Sequence, residues 1–159
     1  MRVIKHSGKI SLVVTTEEKE IFSNLFTQVG KNLPTLPVDI SKETGREDDA
    51  YIERQEMLEA ALKEQREDNF KHIAAWIADL SRWKKNPDKV HWAWSLTLDE
   101  AERFLSYLNE LRIGAWMLLG KPEDMEIENL QPSRERLPWI SLLFTSGMLQ
   151  EVICEAIWE

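Results

Sequence analysis

The sequence predicts a mainly α-helical protein, a compact bundle of about four helices with a small antiparallel β-sheet. Two observations lead to this prediction. Capping boxes at residues 15–18 and 97–100 each stand directly before a run whose apolar residues recur at helical spacing. Residues 90–96 instead alternate with a period of two, which is typical of a strand with one buried face, and residues 2–14 hold a two-residue turn signal between two strand-like runs. The whole chain, 1–159, has the length of a single helical domain.

The N-terminal segment predicts a β-hairpin that turns at Ser7-Gly8. In this register Val3 faces Leu12, and one face of the hairpin collects apolar side chains that can cover a core. Because an isolated hairpin is only marginally stable, we expect the strand at 90–96 to join it as a third strand.

The first helix is predicted to begin after its N-cap, Thr15, and to end at Gly30. Its buried stripe has helical spacing and consists of Ile21, Phe22, Leu25, Phe26 and Val29. Residues 31–48 follow, where prolines and weak periodicity predict a surface loop.

Residues 49–84 predict a second helix, either one long helix or two pieces with a break near 66–69. The first half is rich in Glu and Arg and has only a thin apolar stripe, which indicates a solvated face. The second half is much more apolar, and its stripe ends at Trp83.

The third helix is predicted to start after its N-cap, Thr97, and to stop at Gly120. An acidic loop at 121–136 separates it from the last helix, which begins near Pro138. The last helix is apolar nearly all round at its beginning, so we expect it to be the central helix. Its uncharged stretch, 137–149, is shorter than the roughly 20 residues that a membrane-spanning helix needs.

The charge and the single cysteine limit the kinds of partner and compartment. A net charge of −8 and the lack of a basic run longer than Lys84-Lys85 disfavour nucleic acids and anionic membranes. Cys154 is the one cysteine, so no internal disulfide forms, and we expect it to be a small buried hydrophobe. The sequence therefore predicts a soluble protein that resides in the cytoplasm.

Known catalytic patterns are missing from the sequence. It contains no His-Glu-x-x-His, no Gly-x-Ser-x-Gly elbow and no glycine-rich phosphate loop. Asp68 and His72 lie one helical turn apart and are predicted to form a surface pair. The Asp88–His91 spacing lacks the second pair that a metal site needs. We therefore predict no catalytic residue, no metal ligand and no cofactor, and the lack of a recognisable catalytic motif favours a non-enzymatic protein.

One constellation could carry a function: Asn109, Arg112 and Trp116 lie on one face of the third helix. Apolar neighbours place Arg112 at the edge of the core or inside it, where a guanidinium must be paired. In the structural interpretation, Arg112 forks onto a carboxylate or onto helix-end carbonyls and joins two helices. In the functional one, the pair lines a polar site for an anionic group or for a partner's carboxylate.

The seven tryptophans divide into two groups. Those expected to share the core are Trp76, Trp92, Trp94, Trp116 and Trp139. Trp83 and Trp158 lie at the ends of predicted elements, where we expect exposure. Exposed tryptophans are enriched in interfaces.

The stretch 90–120, a strand followed by LDEA and LxxLNELRIGAWMLLG, resembles an uncharacterised bacterial family of domains of unknown function. The family's Leu-Asn-Glu-Leu-Arg core corresponds to residues 108–112, and its Leu-Gly close to 119–120. Shorter similarities lie at 49–51 and 149–151. The chain departs from the family pattern in its many tryptophans, and at 113–116 the family usually carries smaller or plainer residues.

This resemblance implies a small helical bacterial protein. In actinobacteria the family's genes commonly lie beside the gene for ClpS, the adaptor that delivers substrates to the Clp protease. The family has no established activity, so no catalytic residue can be transferred to this chain.

Three hypotheses follow from the sequence. The first is a non-enzymatic interaction or regulatory protein that binds a protein partner, possibly as an accessory to Clp-type proteolysis. The second is a small-molecule-binding protein or enzyme with a pocket near Asn109 and Arg112. The third is a homo-oligomer that associates through the apolar C-terminal helix and Trp158.

Overall fold

The computed structural model describes residues 1–33, 49–123, 126 and 129–158. Its strands form one antiparallel sheet in the order β1-β2-β4-β3. They are β1 (Arg2–His6), β2 (Lys9–Thr15), β3 (Trp83–Lys85) and β4 (His91–Thr97). The α-helices of the described residues are α1 (Thr16–Asn24), α2 (Asp49–Ala78), α3 (Leu98–Leu118) and α4 (Leu137–Trp158). Helices beside a small antiparallel sheet are confirmed, although the fold mixes helix and sheet and is not a clear helical bundle.

The N-terminal hairpin has the predicted turn and register. Ser7 and Gly8 both have positive φ, 51° and 74°, as a two-residue hairpin turn requires. Val3 lies opposite Leu12, and β4 pairs with β2 as the expected third strand. This strand spans 91–97, one residue later than predicted.

The second helix ends earlier than the sequence predicts, at Ala78 and not at residue 84. α2 is unbroken through 66–69 but stops at Ala78, and a 3₁₀ turn at Leu80–Arg82 leads into β3. Trp83 stacks on Trp94 of β4 with ring centroids 5.9 Å apart, and its Nε1 donates to the Ile77 carbonyl at 2.9 Å. These contacts with residues distant in sequence outweigh the helical spacing. Trp83 is therefore buried, and its predicted exposure is wrong.

The first helix is predicted to continue to Gly30, but its regular α-helical part ends at Asn24. It continues beyond α1 as a π-helical turn at Leu25–Val29 and a 3₁₀ turn at Gly30–Asn32. The buried hydroxyl of Tyr107 on α3 donates to the Phe26 carbonyl at 2.9 Å, which satisfies an acceptor in this wider turn. The predicted loop at 31–48 falls mostly outside the described residues.

The core lies between the helices and one face of the sheet. Its centre is a cluster of aromatic rings in edge-to-face and stacked contacts: Phe22, Phe26, Trp83, Trp94 and Phe104. The other tryptophans expected in the core pack only partly buried at its margin: Trp76, Trp92, Trp116 and Trp139.

α4 is less enclosed than a central helix would be. Its buried side packs on α3 and β1, but Cys154 is exposed, so the prediction of a buried thiol is wrong. The burial of Leu142, Leu149 and Ile153 fixes which side faces the core. Among the described residues, α4 alone is long and apolar enough to cross a membrane. That is a weak indication, because core helices of globular proteins meet the same criterion.

Candidate functional site

The three residues singled out in the sequence lie on the outer side of α3. Asn109 and Arg112 are exposed, so the expectation that Arg112 lies at the edge of the core or inside it is wrong. Trp116 is half-buried, and its Nε1 donates to the Pro122 carbonyl at 2.9 Å. No hydrogen bond or ion pair of Arg112 occurs within the described residues. The guanidinium is thus solvated and accessible to a group from outside.

Arg112 lies beside α4. A Cβ atom on Gly147 would be 3.8 Å from the Arg112 Cδ, so the stem of the arginine runs along this part of α4. Phe144 precedes Gly147 by one helical turn and Met148 follows it directly. Both side chains are exposed, so Arg112 borders an apolar surface and not a core.

The exposed side of α4 carries several large apolar side chains. We call it the α4 face: Leu137, Phe144, Met148, Glu151, Glu155 and Trp158. Leu137, Phe144 and Met148 are 52%, 50% and 45% exposed, and Trp158 is 87% exposed. Seven-residue spacings place them along one side of the helix. Phe144 and Met148 are neighbours one turn apart on this side, and a group of exposed apolar side chains marks an interaction site more often than a single exposed residue does.

In and next to α4 itself, charged side chains occur only towards the two ends of the α4 face. No Asp, Glu, Lys or Arg occurs from residue 137 to residue 150. Arg134 lies one turn before Leu137, and Glu151 and Glu155 follow Met148 by one and two turns. One end is therefore basic and the other acidic. The helix dipole has the same direction, positive at the N-terminus and negative at the C-terminus.

A polar cavity of about 410 Å³ lies beside β4 where β3 begins. Arg82 donates to both carboxylate oxygens of Glu100, at 3.0 and 2.8 Å. The same Glu100 accepts from the backbone N–H of Thr97 at 2.9 Å in the capping box of α3. The bond from Arg82 lowers the pKa of Glu100. Arg82 and Glu100 therefore satisfy each other, and the contact stabilises the join between the 3₁₀ turn and α3.

The histidine–carboxylate spacings noted in the sequence form local pairs. His72 Nδ1 lies 3.6 Å from Asp68, and Arg103 also donates to Asp68 at 2.9 Å. Asp88 accepts from the backbone N–H of His91, and this bond contributes most to lowering its pKa to about 2. Across the part of the chain that the structure describes, no three His, Cys, Asp or Glu side chains cluster as metal ligands would.

No family model matches this chain, and neither a curated protein nor a solved structure is significantly similar to it. The resemblance of residues 90–120 to the ClpS-linked family therefore stays a prediction.

Proposed function

We propose that this chain is a non-enzymatic cytoplasmic protein-interaction protein and that the α4 face is its binding surface. The observation that carries the proposal is the exposure of Leu137, Phe144 and Met148 on a helix without charge over fourteen positions, 137–150. Arg112 at the border of this face supplies a charged group at the rim, where interfaces are commonly polar.

The occupant that fits the α4 face best is a second copy of this chain. An antiparallel pairing of two α4 helices about a two-fold axis places Phe144 of each copy near Met148 of the other. Sulfur–aromatic contacts of this kind are favourable. The same pairing brings Arg134 of each copy to the end of the other helix that carries Glu155 and Trp158, and it sets the two helix dipoles in opposite directions.

The energetics indicate a reversible association. Full burial of a large apolar side chain contributes about 1.5–3 kcal/mol, so covering the exposed half of Phe144, Met148 or Leu137 contributes roughly 1 kcal/mol. A two-fold contact counts each residue twice, which gives about 6 kcal/mol before Trp158 is added. Association itself costs about 4–15 kcal/mol. Covering Trp158, which is 87% exposed, adds roughly 2 kcal/mol per copy, so the total gain is about 10 kcal/mol. With an association cost near the lower end of its range, about 4 kcal/mol, about 6 kcal/mol remains, which corresponds to a dissociation constant of roughly tens of micromolar.

Sedimentation equilibrium up to about 1 mM protein tests the proposal, since that limit corresponds to roughly 4 kcal/mol of binding. Met148→Glu should abolish the dimer. Met57→Glu is the matched control, because Met57 is 68% exposed on α2, away from the α4 face. A monomer throughout this range, or equal loss in both variants, would refute the pairing.

Charge reversal tests the orientation of the two helices. Arg134→Glu and Glu155→Arg should each weaken the dimer, and the double variant should restore it, because the two residues meet across the antiparallel contact. Restoration that fails while both single variants remain folded rules out this pairing. Flotation of a monomeric wild type with phosphatidylcholine vesicles would instead assign the α4 face to a membrane.

An accessory role in Clp-type proteolysis depends on the family resemblance and is proposed on that ground alone. It predicts that purified Clp components bind the chain at low salt and that Arg112→Ala weakens binding while circular dichroism stays unchanged. Binding that is absent at low salt would remove this role and leave the self-association through α4 intact.

A further inference from the structure

A second recess, which we call the Tyr107 pocket, lies away from α4 and has a different character. It is a cavity of about 370 Å³ between the 3₁₀ turn at Gly30–Asn32, the middle of α2 and Tyr107 of α3. A water molecule occupies about 30 Å³ of liquid. The pocket therefore has room for about a dozen non-hydrogen atoms, which is the size of a small organic molecule.

The inner wall of the Tyr107 pocket is apolar and closely fixed. Leu33, Phe70 and the ring of Tyr107 line it, and Tyr107 is only 1% exposed. The Tyr107 hydroxyl is held by its bond to the Phe26 carbonyl at 2.9 Å. π-helical turns such as the one that contains Phe26 are frequent at functional sites. The wall is thus a rigid apolar surface formed before any ligand binds.

The mouth of the pocket is basic. Lys31, Arg66 and Lys71 line it together with a single carboxylate, Glu67. This excess of positive charge is local, because the chain as a whole carries −8. Lys31 and Lys71 are exposed and have no hydrogen bond or ion pair within the described residues.

We propose that the Tyr107 pocket binds a small organic monocarboxylate with an aliphatic or aromatic tail of about ten atoms. The carboxylate lies between Lys31 and Lys71, and the tail packs against Phe70 and Leu33. Apolar walls with a few convergent charges are the usual composition of small-molecule sites. This binding is separate from the α4 face and does not depend on the function proposed above.

Calorimetric titration with 4-phenylbutanoate tests the proposal, with the alcohol and the amine of the same skeleton as matched probes. The carboxylate should bind at least about tenfold more tightly than the alcohol, since charge-assisted hydrogen bonds contribute that much or more. The amine should bind most weakly. Equal affinity of carboxylate and alcohol, or no binding of the carboxylate at millimolar concentration, would overturn the proposal.

Two variants on the same helix locate the charge that matters. Lys71→Glu should weaken 4-phenylbutanoate binding by about tenfold or more. Lys63→Glu changes the net charge equally but lies eight residues earlier, roughly 12 Å along α2 and outside the pocket. That separation exceeds the Debye length of about 8 Å at physiological salt, so its effect should be small. Equal loss in the two variants would show a general charge effect and would reject the site.

Amide chemical shifts distinguish this pocket from the α4 face. On titration with 4-phenylbutanoate, the amides of Gly30 and Phe70 should move, whereas those of Phe144 and Met148 should stay in place. The opposite pattern would mean that the probe merely covers exposed apolar surface on α4, and the Tyr107 pocket would then have no role in binding.

Discussion

Gly30→Ala tests most directly how closely the 3₁₀ turn at Gly30–Asn32 packs against Tyr107. Gly30 is buried, and its φ of −60° suits any residue, so the backbone itself permits alanine. The obstacle is space. A Cβ at this position would lie 2.7 Å from the Tyr107 hydroxyl oxygen and 3.3 Å from the Leu111 Cδ2. Tyr107 must therefore move, and its bond to the Phe26 carbonyl breaks.

Three contributions determine how much Gly30→Ala changes the free energy of unfolding. Overpacking a filled core costs about 1–3 kcal/mol. A buried hydroxyl and carbonyl left without partners cost about 1–3 kcal/mol when they cannot reach water. Alanine also stabilises the folded state by about 0.5–1 kcal/mol relative to glycine, because glycine loses more backbone entropy on folding. Since a shift of Tyr107 relieves part of the overlap, we expect a net loss of about 1–3 kcal/mol, or a Tm lower by about 2–12 °C in a chain of this size.

Urea denaturation of wild type, Gly30→Ala and Gly147→Ala measures this effect. Gly147 lies inside α4, and its Cβ would meet only the Arg112 Cδ at 3.8 Å, an ordinary contact. Gly147→Ala should therefore stabilise the protein by about 0.5–1 kcal/mol. If Gly30→Ala raises stability as Gly147→Ala does, then Tyr107 and the 3₁₀ turn do not pack as closely as described, and the rigid wall of the pocket is refuted.

Three further substitutions test individual contacts. Burial raises the pKa of Glu110 in the folded protein. The stability that this protonated carboxyl contributes is therefore fully present below the unfolded pKa of 4.5 and is lost as the pH rises through the raised folded pKa. Glu110→Gln keeps an acceptor for Asn69 and should be more stable than wild type at pH 7. The difference between the two urea midpoints should shrink as the pH falls towards 4.5, and a difference that does not depend on pH would contradict this explanation. Thr97→Ala removes the cap of α3 and should cost about 1 kcal/mol by the same assay. Arg82→Lys loses the bidentate hydrogen bonds to Glu100. It should lower stability by about 1 kcal/mol or less, because both side chains are partly exposed to solvent. A larger loss in high salt than in low salt would exclude an ionic cause.

The elements that depend on contacts between residues close together in the chain could be predicted from the sequence. The turn at Ser7-Gly8 fixes the hairpin register because a shift by one residue would move every apolar side chain to the other face. Both capping boxes formed at the predicted residues, Thr15 and Thr97, since their hydrogen bonds join residues only three apart. These contacts need no information about the rest of the fold.

Contacts between distant segments account for what the sequence did not reveal. Trp83 continues the helical spacing of the residues before it, yet it lies in a strand because Trp94 offers a stacking partner eleven residues later. The Tyr107 pocket joins three segments that are far apart in sequence, and no spacing within any one of them indicates a cavity. Asn109 and Arg112 share one face of α3 by their spacing, but which side of α3 the core covers depends on how α4 packs.

α4 shows why periodicity alone could not find the proposed binding surface. On most helices a polar side marks the solvent, but both sides of α4 are apolar from 137 to 150, so the sequence there gives no preferred direction. Only Glu151 and Glu155, in the last two turns, distinguish the exposed side. A water-facing helix surface could have carried polar residues at Phe144 and Met148 without any loss of core packing, since neither side chain belongs to the core. Their apolar character is therefore explained by a contact outside the fold, and the paired measurement on Met148→Glu and Met57→Glu decides whether that contact is a second copy of the chain.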